Sequence, residues 1–127
     1  FRLVPKMNPK KQAMRLKRHL RSKGFGDIEI KIYHGEAAAR TNPQHVFVSD
    51  VTDAARRSFG KYLLSISSAG TGPMHAFTNI LKAPAIAIGS TYVFSRIHSP
   101  NEFTRIDLLK KATKCMCLIL DNFARSS

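Results

Sequence analysis

The sequence is short of acid. Against 21 lysines and arginines it sets 8 aspartates and glutamates, and none of the 8 falls between Phe1 and Gly26. No acidic cluster is dense enough to hold two metal ions or to offer an obvious general base. Long apolar runs are missing as well. "APAIAI" and "CMCLIL" are the longest, far below the roughly 20 residues of a membrane-spanning helix. There is no charged start leading into an apolar core, so no signal peptide is read, and the expectation is a soluble, cytoplasmic protein. Cysteine is scarce: Cys115 and Cys117 stand two apart on a helix-like stretch. They point in different directions there, which argues against a disulfide and for reduced, half-buried packing residues. The histidines His19, His34, His45 and His75 show neither an HExxH motif nor paired-ligand spacing, and no internal repeat or low-complexity tract occurs.

What is present is enough for a folded domain. The chain has 127 residues, of which 43% are apolar, and a formal net charge of +13. That length buries a core, and that composition argues against disorder. A basic surface attracts phosphate backbones or acidic ligands and also keeps a protein in solution; charge alone does not choose between these. The run Lys10, Lys11, Arg15, Lys17, Arg18, Arg21 and Lys23 reads as a solvated helix face in preference to a nucleic-acid patch, because few aromatics are interleaved.

Along the chain, "FRLVP" reads as a strand. Asn8 then caps a helix that has Pro9 at its first position, with Ala13, Leu16 and Leu20 as its apolar stripe and Gly24 as its stop. In "DIEIKIY" the isoleucines 28, 30 and 32 alternate with polar residues, as in a strand with one wet face. Such a βαβ unit needs more sheet from elsewhere. Asn42-Pro43 is expected to open a second helix, with Phe47, Val51, Ala54 and Ala55 on one face and Gly60 at its end. "YLLSI" and "APAIAIG" read as buried strands, separated by the loop "SSAGTGPM" and a helix with Pro73 at its first position and Met74, Phe77 and Leu81 along it. The closing helix is expected from about Thr104, with Thr104 and Asp107 nearly a capping box and Ile106, Leu109, Thr113, Met116, Leu120 and Phe123 as its packed stripe. The fold class is therefore α/β, with helices on both faces of a mostly buried sheet.

Two stretches can carry chemistry. In "RIHSPNEF", His98 lies between a strand and a helix, where an imidazole can ligate a metal or pass a proton, although a loop histidine is more often an ordinary surface residue. Asn101 and Glu102 offer an amide and a carboxylate that can steady a ligating ring. In "SSAGTGPM", Gly70 and Gly72 permit close backbone approach, Ser68 and Thr71 add hydroxyls, and a following helix would point free N–H groups at an anion. The plain alternative is a strand-to-helix turn. The loop matches neither the phosphate-binding loop nor the dinucleotide fingerprint.

"FRLVP", "HGEAAART", "SSAGTGPM", "IHSPNE" and a closing amphipathic helix, in this order and at these intervals, resemble the C-terminal part of one metallopeptidase family. It is the zinc-dependent family of acetylornithine deacetylase, succinyl-diaminopimelate desuccinylase and carnosinase, and the resemblance covers essentially the whole chain. It implies half of a βαββαβ lid (dimerisation) domain over residues 1–35, as a βαβ piece, followed over residues 36–127 by the C-terminal portion of the catalytic αβα sandwich. It implies that His98 is a zinc ligand of a dinuclear site, that Arg2 contacts a substrate carboxylate, and that Gly70 and Thr71 help to hold that carboxylate. Ala69 departs from the Gly-Gly pair usual in that loop. The family's HxD motif, bridging aspartate, Glu-Glu pair with its general base, and one further carboxylate ligand have no counterpart in the sequence. Phe1 opens the chain inside a strand-like run without a methionine, which reads as a truncated or cleaved chain.

On this reading the polypeptide carries no catalytic residue and hydrolyses nothing alone. The intact enzyme would cleave an amide bond in a small N-acyl amino acid or dipeptide with a free carboxylate, a zinc-activated hydroxide attacking the carbonyl. The partners implied are that substrate and either a second copy, in a homodimer, or the missing N-terminal portion; no membrane partner is expected, and nucleic acid is disfavoured. The competing readings are a non-catalytic dimerisation or interaction module, and, last, a basic nucleic-acid binder.

Overall fold

The computed structural model describes residues 1–33, 35–68 and 70–126. Among the described residues three α-helices carry the order: α1 (Pro9–Ser22), α2 (Val46–Phe59) and α3 (Ile106–Ser126), with one π-helical turn over Ala76–Ile80 between the last two. The chain divides into two compact units, Phe1–Thr41 with Ser67–Ala85, and Asn42–Ile66 with Ile86–Ser127.

In the first unit α1 is built from its ends inward. The Asn8 side chain accepts a hydrogen bond from the Lys11 amide at 3.0 Å, and Pro9 fills the first helical position where no N–H is needed. At the other end Gly24 takes φ of +85°, its amide donates to the Arg21 carbonyl, and the Phe25 amide donates to the Leu20 carbonyl at 3.0 Å. Those two bonds are a complete Schellman stop, and the positive φ is why a glycine stands there. Ala13, Leu16 and Leu20 are half-buried, while the lysines and arginines of the helix are exposed.

Outside α1 and the turn around Ala76–Ile80, the described residues of this unit form no further helix or strand. Glu29 and Lys31, two apart, bring their charges to 3.9 Å, the same-side spacing of an extended backbone. The Thr41 hydroxyl donates to the Ala85 carbonyl at 2.6 Å and accepts from the Ala85 amide at 2.9 Å, tying the unit's two chain segments together. The helix expected after Pro73 is only a π turn, closed by the Leu81 amide on the Ala76 carbonyl at 3.0 Å.

Among the described residues, every fully buried side chain lies in the second unit. Val51 and Ala54 of α2 meet Cys115 and Ile119 of α3, with Phe47, Ala55, Phe59, Leu118 and the extended residues Ile86 and Ile88 packed around them. α2 starts later than expected. The Asn42 side chain accepts from the Gln44 amide and so closes a turn, and His45 becomes the cap, its Nδ1 accepting from the Phe47 amide at 3.1 Å. Gly60, at φ of +78°, ends the helix as expected. Asn122 of α3 fastens the pair, its amide donating to the Asp50 carbonyl at 2.9 Å and to the Asp53 carboxylate at 3.2 Å.

The packed face of α3 differs from expectation. Cys115 and Ile119 are buried and Leu108, Ala112, Leu118 and Asn122 half-buried, whereas Ile106, Leu109, Met116, Leu120 and Phe123 are exposed. Both sets recur at helical spacing, and α2 covers the first. Cys115 is fully buried and Cys117 exposed, both free. Among the described residues "FRLVP", "DIEIKIY", "YLLSI" and "APAIAIG" carry no strand pairing. A strand is made by its neighbour, because its backbone N–H and C=O groups pair with those of another segment.

Candidate functional site

The residues singled out in the sequence fall into two groups, one in each unit. In the first unit the Arg2 guanidinium donates a hydrogen bond from Nη1 to the Thr71 hydroxyl across 69 positions of sequence. Arg2 comes from the opening extended run and Thr71 from the glycine loop, so this contact joins the two chain segments of the unit. Beside Thr71, the Gly70 amide donates to the Ser68 hydroxyl at 3.1 Å. A guanidinium fork, a hydroxyl and backbone N–H groups are the donors that a carboxylate takes up in pairs. Ala69 and His34, both noted in the sequence, lie outside the described residues.

Four residues after Thr71, the His75 side chain has its Nδ1 buried without a hydrogen-bond partner. Sequence reasoning set this histidine aside for lack of ligand spacing. Its only signal is the buried, unmet nitrogen, which no sequence pattern reports.

In the second unit His98 stands on a loop with unusual backbone. Arg96, His98 and Asn101 all take positive φ, at 56°, 61° and 61°, a region that side chains other than glycine enter rarely, Asn and His more often than most. Ser95 holds the loop's base. It is fully buried, its amide donates to the Tyr92 carbonyl, its hydroxyl accepts from the Tyr92 amide, and its carbonyl accepts from the Phe103 amide. The Ser99 amide closes on the Arg96 carbonyl at 2.9 Å. The Glu102 carboxylate accepts from the His98 backbone amide at 3.3 Å, so it steadies the main chain that carries the imidazole.

After the loop, the Arg105 guanidinium grips Asp107 in two bonds of 2.9 and 2.7 Å and lies 5.4 Å from the Tyr92 ring centre. The hydrogen bond to Arg105 holds the Asp107 carboxyl below its ordinary value, and the same bond to Asp107 raises Arg105.

No group of three His, Cys, Asp or Glu side chains converges among the described residues. His98 thus stands as one imidazole with a carboxylate turned to its backbone. No helix among the described residues is long and apolar enough to cross a membrane.

The sequence profile of peptidase family M20/M25/M40 matches residues 4–122. The matched stretch takes in Gly70, Thr71, His98, Asn101 and Glu102, while Arg2 lies just ahead of it. No curated protein and no solved structure matches the chain. A profile that runs unbroken from the opening extended segment to the last turns of α3 settles the kinship: the chain belongs to the peptidase family M20/M25/M40.

Proposed function

We propose that the chain is the C-terminal portion of a dinuclear zinc amidohydrolase that cleaves an amide bond in a small N-acyl amino acid or dipeptide with a free carboxylate. Membership of a metallopeptidase family supports the reaction type. The observation that carries the substrate class is the Arg2 to Thr71 hydrogen bond, which brings together two donors suited to a carboxylate from the two chain segments of the first unit. In this reading Arg2, Thr71 and the Gly70 backbone hold the substrate's carboxylate and orient the amide. His98 is one zinc ligand, and Asn101 and Glu102 fix its loop.

The described residues do not fit a complete zinc site. A catalytic zinc takes about three protein ligands, and the side chains present converge on no such set. The remaining ligands and the general base are assigned to polypeptide outside these 127 residues, and the chain alone is inactive. The same reading makes residues 1–35 half of a lid domain and turns the extended runs into strands of an α/β sandwich once neighbouring strands are supplied.

The test is the reading frame upstream of the Phe1 codon. An extended frame with an HxD motif and a Glu-Glu pair, whose product hydrolyses N-acyl amino acids with a KM raised at least tenfold by Arg2→Ala, supports the proposal. An extended frame without those motifs, or turnover by the 127-residue chain alone, refutes it.

A further inference from the structure

α1 is a cationic helix without counter-charge. No aspartate or glutamate falls between Phe1 and Gly26, and among the described residues no lysine or arginine of α1 makes an ion pair. At about 100° of turn per residue its exposed charges fall into two rows. Lys10, Lys17 and Arg21 form one and Lys11, Arg15 and Arg18 the other, roughly 100° apart around the axis. Met14 projects between the rows at 58% exposure and lines a shallow hollow with Lys10, Lys11, Arg15 and Arg18. The half-buried Ala13, Leu16 and Leu20 take the opposite side.

We infer that this face of α1 grips the phosphate backbone of a nucleic-acid duplex without reading its sequence. Polypeptide beyond these residues does not claim the face. α1 already turns its apolar stripe inward, and a neighbour packed over the rows would have to neutralise six desolvated charges. The inference stands apart from the hydrolase reading, since it needs neither zinc nor turnover.

The two rows choose the partner. Six cations along about 16 Å of helix answer a densely repeated charge, and a duplex carries one phosphate per about 1.7 Å of its axis. Rows that point to either side of a helix suit the two phosphate walls of a major groove about 12 Å wide, which admits an α-helix. Half of the six are arginines, whose fork takes phosphate oxygens in pairs. A membrane surface calls for apolar side chains sunk between the charges, and Met14 stands there alone. The scarcity of aromatics argues against stacking on single strands, whereas a grip on duplex phosphates needs none. Met14 offers no donor or acceptor to base edges, so the binding is indifferent to sequence.

Fluorescence anisotropy of a labelled duplex of about 20 base pairs with the full chain, between about 50 and 200 mM salt, tests it. With six phosphates neutralised the affinity should fall about a thousandfold over that range, equally for unrelated sequences. Arg15→Gln with Arg18→Gln should weaken binding at least tenfold and reduce the salt slope by about two, with helicity by circular dichroism unchanged. The same loss of charge on α3, Lys110→Gln with Lys111→Gln, should change affinity less than about threefold. If the α1 pair loses helicity, Lys10→Gln with Lys17→Gln takes its place. No binding at about 50 mM salt, equal losses from the α1 and α3 pairs, tighter binding to polyglutamate than to the duplex, or binding to phosphatidylserine vesicles and not to the duplex would overturn the inference.

Discussion

Ile119 and Leu120 are neighbours on α3 with opposite surroundings, and truncating each in turn tests which face holds the second unit together. Ile119 is 6% exposed and packs in the cluster with Val51, Ala54 and Cys115. Ile119→Ala removes three carbons from that cluster, about 2.4 kcal/mol of transfer free energy at about 0.8 per buried carbon. The unfilled space adds to this, so the expected loss is about 3 kcal/mol. Leu120, at 68% exposure, keeps only about a third of that transfer term, and alanine is the better helix former, so Leu120→Ala should cost under about 1 kcal/mol. Urea unfolding followed by circular dichroism, at a dilution where the chain is monomeric, measures both. A Leu120→Ala loss equal to or larger than that of Ile119→Ala would show that α3 buries the other stripe and would refute the packing described.

Other predictions read single contacts. Asn8→Ala removes the cap of α1 and should destabilise that helix by about 1 kcal/mol, seen as faster hydrogen exchange at the Lys11 amide; unchanged exchange would deny the cap its role. Asn122→Leu strips the α2 to α3 tie at Asp50 and Asp53 and should cost about 1 to 2 kcal/mol in urea unfolding; a neutral result would mean that the tie contributes nothing. The Asp107 carboxyl is held low by Arg105, so its support for the first turn of α3 is in place above the ordinary carboxylate value and is lost as pH falls through the lowered one. By carbon-detected NMR titration the Asp107 midpoint should lie below an ordinary aspartate, and Arg105→Gln should bring it up; a midpoint indifferent to Arg105→Gln would contradict the pairing.

What the sequence disclosed was mainly local chemistry. The ends of α1 were legible because Asn8, Pro9 and Gly24 act within a few residues of themselves. Asn42-Pro43 carries the same letters, yet Asn42 spends its side chain on the Gln44 amide and passes the capping role to His45, an acceptor the usual cap preferences do not include. α3 was legible as a helix, but two apolar stripes run along it, and only the position of α2 decides which is buried. The alternation in "DIEIKIY" suggests a strand, but strand pairing depends on a neighbour that no local pattern specifies.

The candidate site divides in the same way. No periodicity links Arg2 to Thr71 across 69 positions; the family resemblance singled out both residues, and the fold sets them in contact. The left-handed backbone at Arg96, His98 and Asn101 is equally silent in the letters, since only Asn among them is a familiar tenant of that region, with His an occasional one. His75 became notable only through burial.

The most direct test of the central claim is the zinc content of the protein expressed from the extended reading frame, with and without His98→Ala. If His98 is a ligand of a dinuclear site, the parent binds two zinc ions per chain, the variant retains about one with hydrolysis lost, and both keep the same helicity. Full zinc content and undiminished hydrolysis in His98→Ala would contradict the account.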